Sequence, residues 1–345
     1  MKSSSISSKI LERFIRKRDE KRMTQKAQGL VSDIGGTNIR FAIADRGSLS
    51  QIEELKCADY AGPVEAALAY CQKTGLENIP KVGVFDVAGP VEGDWFDMTN
   101  NDWAFSVEET AQRLGIDSLH LLNDFEAIAL GIPQMESGDL SQIGGSAPVD
   151  GAPIAVIGPG TGLGTAGLLR IEGKHMPLPG EGGHVTMSVK TQREFDIIAA
   201  LKQVKYSHVS AERVCSGKGL VNLYEAICHL DGVQDALALE PEEISEKGMN
   251  GECKICAECL DLLCGFLGVV AGNLAISLNA KGGVYIAGGI PARLGDYFLR
   301  SRFRREFEDK GRYTEYMKGI PAYLVTHPYI ALHGLRYDLL QRGLI

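Results

Sequence analysis

The sequence predicts an α/β protein of two domains, and three observations carry that expectation. Apolar runs short enough for buried strands alternate with stretches of helical spacing. Glycine clusters follow the strands at their carboxyl ends, where open α/β sheets bind ligands. One strand–loop–strand design occurs twice, at 30–45 and at 154–171, so Gly36-Thr37 and Gly160-Thr161 hold equivalent places 124 residues apart. A length of 345 residues agrees, because single cores stop growing near roughly 250–300 residues.

Composition narrows the function classes. Apolar content of 44% and charged content of 23% are those of a soluble globular chain. Forty-one glycines make about 12%, against an average near 7%, and they gather in loops after apolar runs, as backbone-lined ligand sites require. The net charge of −8 argues against nucleic acid as a partner. Eight cysteines without secreted-domain spacing, and no signal peptide, point to a reducing cytoplasm. Residues 262–280 carry no charge and are long enough for a bilayer. Asn273, Ser277 and Asn279 interrupt the run, and Gly265, Gly268 and Gly272 line one side, so a buried helix against a close neighbour is expected instead.

In order along the chain, residues 1–28 hold nine Lys or Arg against three Asp or Glu, +6 against −14 for the remainder. They read as a basic, flexible arm outside the fold. Leu30, Val31 and Ile34 suit a buried strand, Gly35-Gly36-Thr37-Asn38 a tight reversal, and Ile39, Phe41 and Ile43 a returning strand. Val64–Cys71 reads as helix, Lys81–Val87 as strand, and Trp95–Met98 as a strand after a polar turn. Ser106 caps a helix with Glu109 as reciprocal partner, and Gly115 stops it. The strand Leu119–Leu122 delivers Asn123 and Asp124 to a helix running from Phe125 to Leu130. Ile154–Ile157, the glycine loop 158–164 and Thr165–Ile171 repeat the opening unit. Helices are expected from about Glu194 to Leu201, through Leu223 to Ile227, over 262–278, over the polar stretch Asp296–Lys310, and from roughly Ile330 to Leu340. Val284–Ala287 and Ala322–Val325 are the remaining strands.

Each chemical motif carries a plainer alternative. Asp33 to Asn38 is either an ordinary Gly-Gly hairpin or a phosphate cradle of uncovered N–H groups, with Thr37 and Asn38 as side-chain donors. In the second case Asp33 is placed to hold a hydrated Mg²⁺. Asp124 is either a helix N-cap or a general base at a strand end, kept ionised by the helix N-terminus. His184 is either a structural histidine or a ligand beside Glu181. Glu181, His184, His208 and Glu212 could alternatively hold a metal. Cys253, Cys256, Cys259 and Cys264 suggest a metal cluster, yet Cys256, Leu260, Leu263 and Leu267 follow helical spacing, which favours thiols packed as small apolar groups. The segment Ser216-Gly217-Lys218-Gly219 lacks the frame of a P-loop, and the loop 158–164 leads into strand rather than the helix of a dinucleotide fingerprint.

Six segments occur in the order seen in bacterial-type glucokinases: Asp33–Asn38, Leu122–Phe125, Gly158–Gly164, Pro179–His184, Ala211–Gly217 and Ile286–Ile290. The sequence resembles that family from about Gly29 to Val325. The resemblance implies the two-domain ribonuclease H-like fold of actin-like ATPases and sugar kinases, with an interdomain cleft. It places 29–134 with 328–345 in a small domain and 135–327 in a large one. It implies ATP-dependent phosphorylation of the 6-hydroxyl of glucose. Ser32, Asp33, Ile34, Gly35, Gly36, Thr37 and Asn38 resemble the first phosphate segment, Gly160 and Thr161 the second, and Gly288 and Gly289 the adenosine-side loop. Asp124 falls where the family keeps its base. Asn123, Glu181, His184 and Glu212 resemble the sugar clamp, with Asn100 a further member of its wall. ATP, Mg²⁺, glucose and a second copy of the chain are the implied ligands and partner. The competing expectations are a kinase for another hexose or aminosugar, a sugar-sensing repressor, for which 28 residues before the first strand are too few, and a chaperone-type or filament ATPase.

Overall fold

In the computed structural model, which describes residues 27–98 and 101–345, the first apolar run is strand β1 (Gly29–Ile34). It turns back antiparallel into β2 (Asn38–Ala44), and β3 (Leu49–Lys56) extends the meander. Strand β4 (Val82–Val87) runs parallel to β1 on its other side. β5 (Trp95–Asp97) and β6 (Ala104–Ser106) form a separate hairpin, and β7 (Ser118–Asn123) completes a sheet of order β3-β2-β1-β4-β7. Period-two alternation sends Leu30, Ile34, Phe41 and Phe85 into one core, where Phe41 stacks on Tyr70 of the helix Pro63–Thr74 at 5.1 Å between ring centres.

The next helix, Val107–Leu114, begins as expected at Ser106, whose Oγ accepts the Glu109 N–H at 3.0 Å. The reciprocal partner differs. Asp94 accepts the Ser106 hydroxyl and the Glu108 N–H at 2.8 Å, so the residue that leads into β5 rather than Glu109 closes the cap.

The chain folds into two compact units. One comprises the described residues up to Leu122 together with Leu335–Ile345; the other is Asn123–Gly334. The division precedes the helix Asp124–Gly131 rather than following it at 134, because that helix packs on strands of the second unit's sheet. That sheet contains β8 (Leu140–Gln142), β9 (Ile154–Pro159), β10 (Leu163–Ile171), β11 (Lys174–Gly180), β12 (Gly283–Ile286) and β13 (Ala322–Val325) in the order β11-β10-β9-β12-β13-β8. β9 and β10 are antiparallel, while β12 runs parallel to both β9 and β13. β11 was absent from the sequence reading. Pro177 and Pro179 mask it, and they are tolerated because β11 is an edge strand.

Helices Gln192–Val204, Gly217–Leu230 and Pro241–Met249 flank the long helix Lys254–Leu278. The helix 241–249 also went unread. The stretch expected as one polar helix over 296–310 is instead Asp296–Arg300 and Phe303–Glu308, preceded by Gly289–Leu294. The chain breaks at Ser301, and Phe298, Phe303 and Phe307 are fully buried. The final helix is Ile330–Gln341.

Helix Lys254–Leu278 has a mean hydropathy of 2.0 over its most apolar window, of which 78% is buried within the fold. The glycine stripe explains how. A Cβ on Gly268 would run into the Phe303 carbonyl, and one on Gly272 would lie 2.6 Å from that of Phe307, so the backbone of 303–307 approaches through the gap those glycines leave. Gly268→Ala is expected to lower stability by about 1–3 kcal/mol through overpacking, seen as a fall in the urea midpoint of unfolding. An unchanged midpoint would remove the close approach from this account.

Candidate active site

The turn between β9 and β10 is where the second unit's chemistry assembles. Pairing continues to Leu163↔Pro159, so Gly160-Thr161-Gly162 alone make the reversal. It is closed by a 2.8 Å hydrogen bond from Gly160 N–H to Gly162 O. The N–H groups of Thr161 and Gly162 have no partner among the described residues. Two adjacent uncovered amides are a ready anion cradle.

Five other segments fasten onto this turn. Asp124 opens the helix Asp124–Gly131, and the N-cap role goes to Asn123, whose Oδ1 accepts the Phe125 N–H at 2.9 Å while Glu126 returns a 3.1 Å bond to Asn123 N–H. Capping therefore does not account for Asp124. Its Oδ1 also accepts the Phe125 N–H at 2.9 Å, which fixes the carboxylate at the strand end. The Phe125 ring fills the space above Gly158 and Gly164; a Cβ on Gly164 would overlap the ring itself. The glycines are thus needed for the aromatic anchor as well as for the turn.

Glu181, His184 and Glu212 come from two segments that pair with each other. The Met187 and Ala211 N–H groups donate to the carbonyls of Val209 and Val185 at 3.1 and 2.9 Å. This pairing brings the 181–187 and 209–212 segments together. Gly183 packs under the Leu163 carbonyl, and the Thr165 hydroxyl receives the Gly182 N–H at 2.9 Å. His184 Nε2 lies 3.8 Å from a Glu181 oxygen, with both side chains more than half exposed. Glu212 Oε2 accepts the Leu163 N–H at 3.0 Å, and Gly217 N–H donates to Gly160 O at 2.9 Å. On the far side of the turn, Gly288 abuts the Pro159 carbonyl with φ of 110°, a conformation that requires glycine, and Gly289 starts a short helix.

In the first unit the Gly35–Asn38 reversal is one residue longer, lying between the paired Ile34 and Ile39. Gly35 N–H donates to Asn38 O at 2.9 Å, and Thr37 O accepts the Cys57 N–H at 2.8 Å. Asp33 pairs with Arg40 at 3.0 Å. Burial alone would lower the Arg40 pKa, but Asp33 and Glu54 outweigh it and hold the guanidinium above its ordinary value. Ser32 and Ile34 point into the core, at 0 and 1% exposure, so their side chains are not ligands; Asp33 and 35–38 are the reachable part. Asn100 lies outside the described residues. Its neighbour Asn101 caps Trp103 N–H at 2.9 Å and donates to Gly35 O at 3.5 Å.

The glucokinase family profile matches residues 30–342. A glucokinase of Aromatoleum aromaticum is 50% identical over 308 residues, covering 88% of this chain and 92% of that relative. The crystal structure of a glucokinase from an Antarctic psychrotroph is 34% identical and superposes with a TM-score of 0.82 over 92% of this chain and 100% of that one. The chain belongs to the glucokinase family. A ROK family glucokinase from Streptomyces griseus, solved in complex with glucose and AMPPNP, shares the fold at a TM-score of 0.62 and 19% identity, covering 92% of this chain and 100% of that one.

Lys218 is exposed on the first turn of the helix Gly217–Leu230, and Cys215 is fully buried. Cys256, Cys259 and Cys264 are each 0% exposed in the apolar core, while Cys253 caps its helix by accepting the Cys256 N–H at 3.3 Å. Among the described residues no group of three or more His, Cys, Asp or Glu is placed to hold a metal ion. Phe125, Leu163 and Gly217 were missed as site-builders. The placing of Gly158 and Gly164 on either side of the turn was the available signal, since both leave room for a ring.

Thiol chemistry tests this packing. Burial pushes Cys256 and Cys264 up to about 12. Burial also opposes ionisation of Cys253, but hydrogen bonds from Cys256 and the helix N-terminus carry it below the ordinary thiol value. In native protein at pH 8, a maleimide is expected to label Cys253 first, with the other thiols reacting only after denaturation. Equally rapid labelling of Cys256 or Cys259 would contradict the buried packing.

Proposed function

We propose that this chain transfers the γ-phosphoryl group of ATP to the 6-hydroxyl of D-glucose, giving glucose 6-phosphate and ADP. The single observation that carries the reading is the convergence on one glycine turn: the Asp124 helix through Phe125, the sugar-clamp segments through Leu163, and the 288–289 loop through Pro159. Family membership supplies the substrate, and the relatives named above are glucokinases.

In this reading Asp124 accepts the 6-hydroxyl proton as that oxygen forms a bond to the γ-phosphorus, while the bond from phosphorus to the bridging oxygen breaks and ADP leaves. Phosphoryl transfer asks the protein chiefly to position groups and stabilise charge. The uncovered Thr161 and Gly162 amides do this for the phosphates in the second unit, with Gly288 and Gly289 on the adenosine side, and the 35–38 reversal is the first unit's own candidate phosphate segment. Asn123 uses its oxygen in the cap and faces the sugar as a further member of the clamp. Glu181 and Glu212 accept from hydroxyls, and His184 donates or accepts. A sugar lacking a matching hydroxyl would leave those groups unpaired, which is how the site rejects it.

Mg²⁺ fits the residues present. One Asp33 oxygen holds Arg40 and the other has no partner among the described residues, and Asp86 stands opposite Asp33 in the β1–β4 register. A hydrated Mg²⁺ keeps most of its waters and needs only one or two carboxylates beside substrate phosphates, so a closed protein cage is not expected. Bound there, the ion would neutralise developing phosphate charge. The eight free thiols support a cytoplasmic setting, and the product would enter glycolysis.

A homodimer completes the reading. Val185, Phe195 and Val204 are apolar side chains 50, 56 and 72% exposed, and a second copy would cover residues of this kind. Sedimentation equilibrium at micromolar concentration should return twice the chain mass; a monomer removes this part.

Asp124→Asn is expected to lower kcat by at least ~10²–10⁴ while glucose still binds. The measurement is a coupled assay with glucose and MgATP, alongside calorimetric glucose titration. Near-normal turnover of that variant would exclude Asp124 as the base. A preference of the wild type for N-acetylated sugars would instead move the assignment to an aminosugar kinase.

A further inference from the structure

We infer that Glu212 is more than a sugar ligand: it holds the phosphate-binding turn, and through it sugar occupancy is coupled to nucleotide affinity. The inference rests on reading Gly160-Thr161 as a phosphate segment and on Glu212 facing the sugar.

The geometry is local and complete within the second unit. Glu212 Oε2 accepts the Leu163 N–H at 3.0 Å, and Leu163 is the first residue after the reversal. Glu212 Oε1 has no partner among the described residues. One carboxylate therefore has one oxygen committed to the turn and one open to a hydroxyl donor. The same short segment grips the turn a second time, since Gly217 N–H donates to Gly160 O at 2.9 Å. Between these two grips Ser216 Oγ donates to the Glu212 carbonyl at 2.8 Å and accepts the Gly219 N–H at 2.9 Å, which ties the 212–217 strap to the helix behind it. The strap therefore fixes both shoulders of the reversal, at 160 and at 163. The uncovered Thr161 and Gly162 amides lie between those two points.

The consequence is energetic. A hydrogen bond to an ionised carboxylate is about twice as strong as a neutral one, and it sets the direction of the peptide plane between Gly162 and Leu163. A sugar hydroxyl on Oε1 restrains the Glu212 side chain further, so less freedom remains to be lost when phosphate binds. The result is positive coupling between the two ligands, and by linkage the factor is the same in both directions. His184 makes no hydrogen bond to the turn, its nearest charged neighbour being Glu181 at 3.8 Å. The two clamp residues should therefore behave differently toward nucleotide.

The test is calorimetric titration of full-length protein with a non-hydrolysable ATP analogue and Mg²⁺, without sugar and then with saturating glucose. Glu212→Ala should weaken nucleotide binding in the absence of sugar by roughly tenfold, and glucose should no longer tighten it. Glu212→Gln, which keeps an acceptor but not the charge, should fall between. His184→Ala should lose glucose affinity and leave sugar-free nucleotide binding unchanged. A second approach avoids touching Glu212. A Cβ on Gly162 would stand 2.6 Å from Glu212 Oε2, so Gly162→Ala should displace that oxygen and weaken nucleotide while glucose still binds. Thermal unfolding confirms that each variant is folded. Glu212→Ala and Gly162→Ala that bind nucleotide like wild type, with glucose coupling intact, overturn the inference and leave Glu212 a sugar ligand only. A wild type that binds glucose but no nucleotide overturns it together with the phosphate reading.

Discussion

The constraint on which the second unit depends is the narrowness of the β9–β10 reversal. Three residues turn the chain, and their amides stay uncovered only because neighbouring segments take up the rest of the local hydrogen bonding. Phe125 lies over Gly158 and Gly164, Glu212 takes the Leu163 N–H, and Gly217 takes the Gly160 carbonyl. Each contact is modest alone. Together they fix a backbone conformation that a phosphate can meet without waiting for it to form, which is the economical way to stabilise charge in a transition state.

The same packing explains why Asp124, the 181–187 and 209–217 segments and the β9–β10 turn are not independent modules. Asp124 and Phe125 are consecutive, so anything that moves the ring on the glycines moves the carboxylate too. The cap at Asn123 and Glu126 resists that movement by satisfying the first helical N–H groups from both sides. The clamp reaches the turn through Leu163 from two directions, Gly183 beneath its carbonyl and Glu212 at its N–H. A displacement of about 1 Å in such a site costs on the order of 10²-fold in rate, so close packing at the turn and accurate placement of the reacting groups are one requirement.

How much of this could be read from the chain follows from the reach of each signal. Short apolar runs placed β1, β2, β9 and β13 nearly to the residue, because strands buried at most of their positions carry their pattern locally. β11 was lost because its prolines and exposed residues look like loop, and only its pairing with β10 makes it strand. The 296–310 stretch looked like one helix because its charges conceal three phenylalanines that a neighbouring helix buries. Asp33, Glu181 and His184 were singled out because glycines stand within two residues of each, and Asp124 because it follows a strand. The inward orientation of Ser32 and Ile34 was also implicit in the alternation, though the segment was taken as a whole. The cap was open to a local reading, since Asn123 with Glu126 three residues on is a capping-box pattern. What no local pattern could show is that Glu212 spends one oxygen on Leu163, a partner 49 positions away.

The account's central claim is that one carboxylate and one pair of open amides act on the two ends of the same transferring bond. A crystal structure of the protein with glucose, Mg²⁺ and a non-hydrolysable ATP analogue tests it most directly. The account predicts the Asp124 carboxylate about 2.6–3.2 Å from the glucose 6-hydroxyl, with the Thr161 and Gly162 amides on phosphate oxygens. A 6-hydroxyl turned away from Asp124, or phosphates seated apart from that turn, would contradict it.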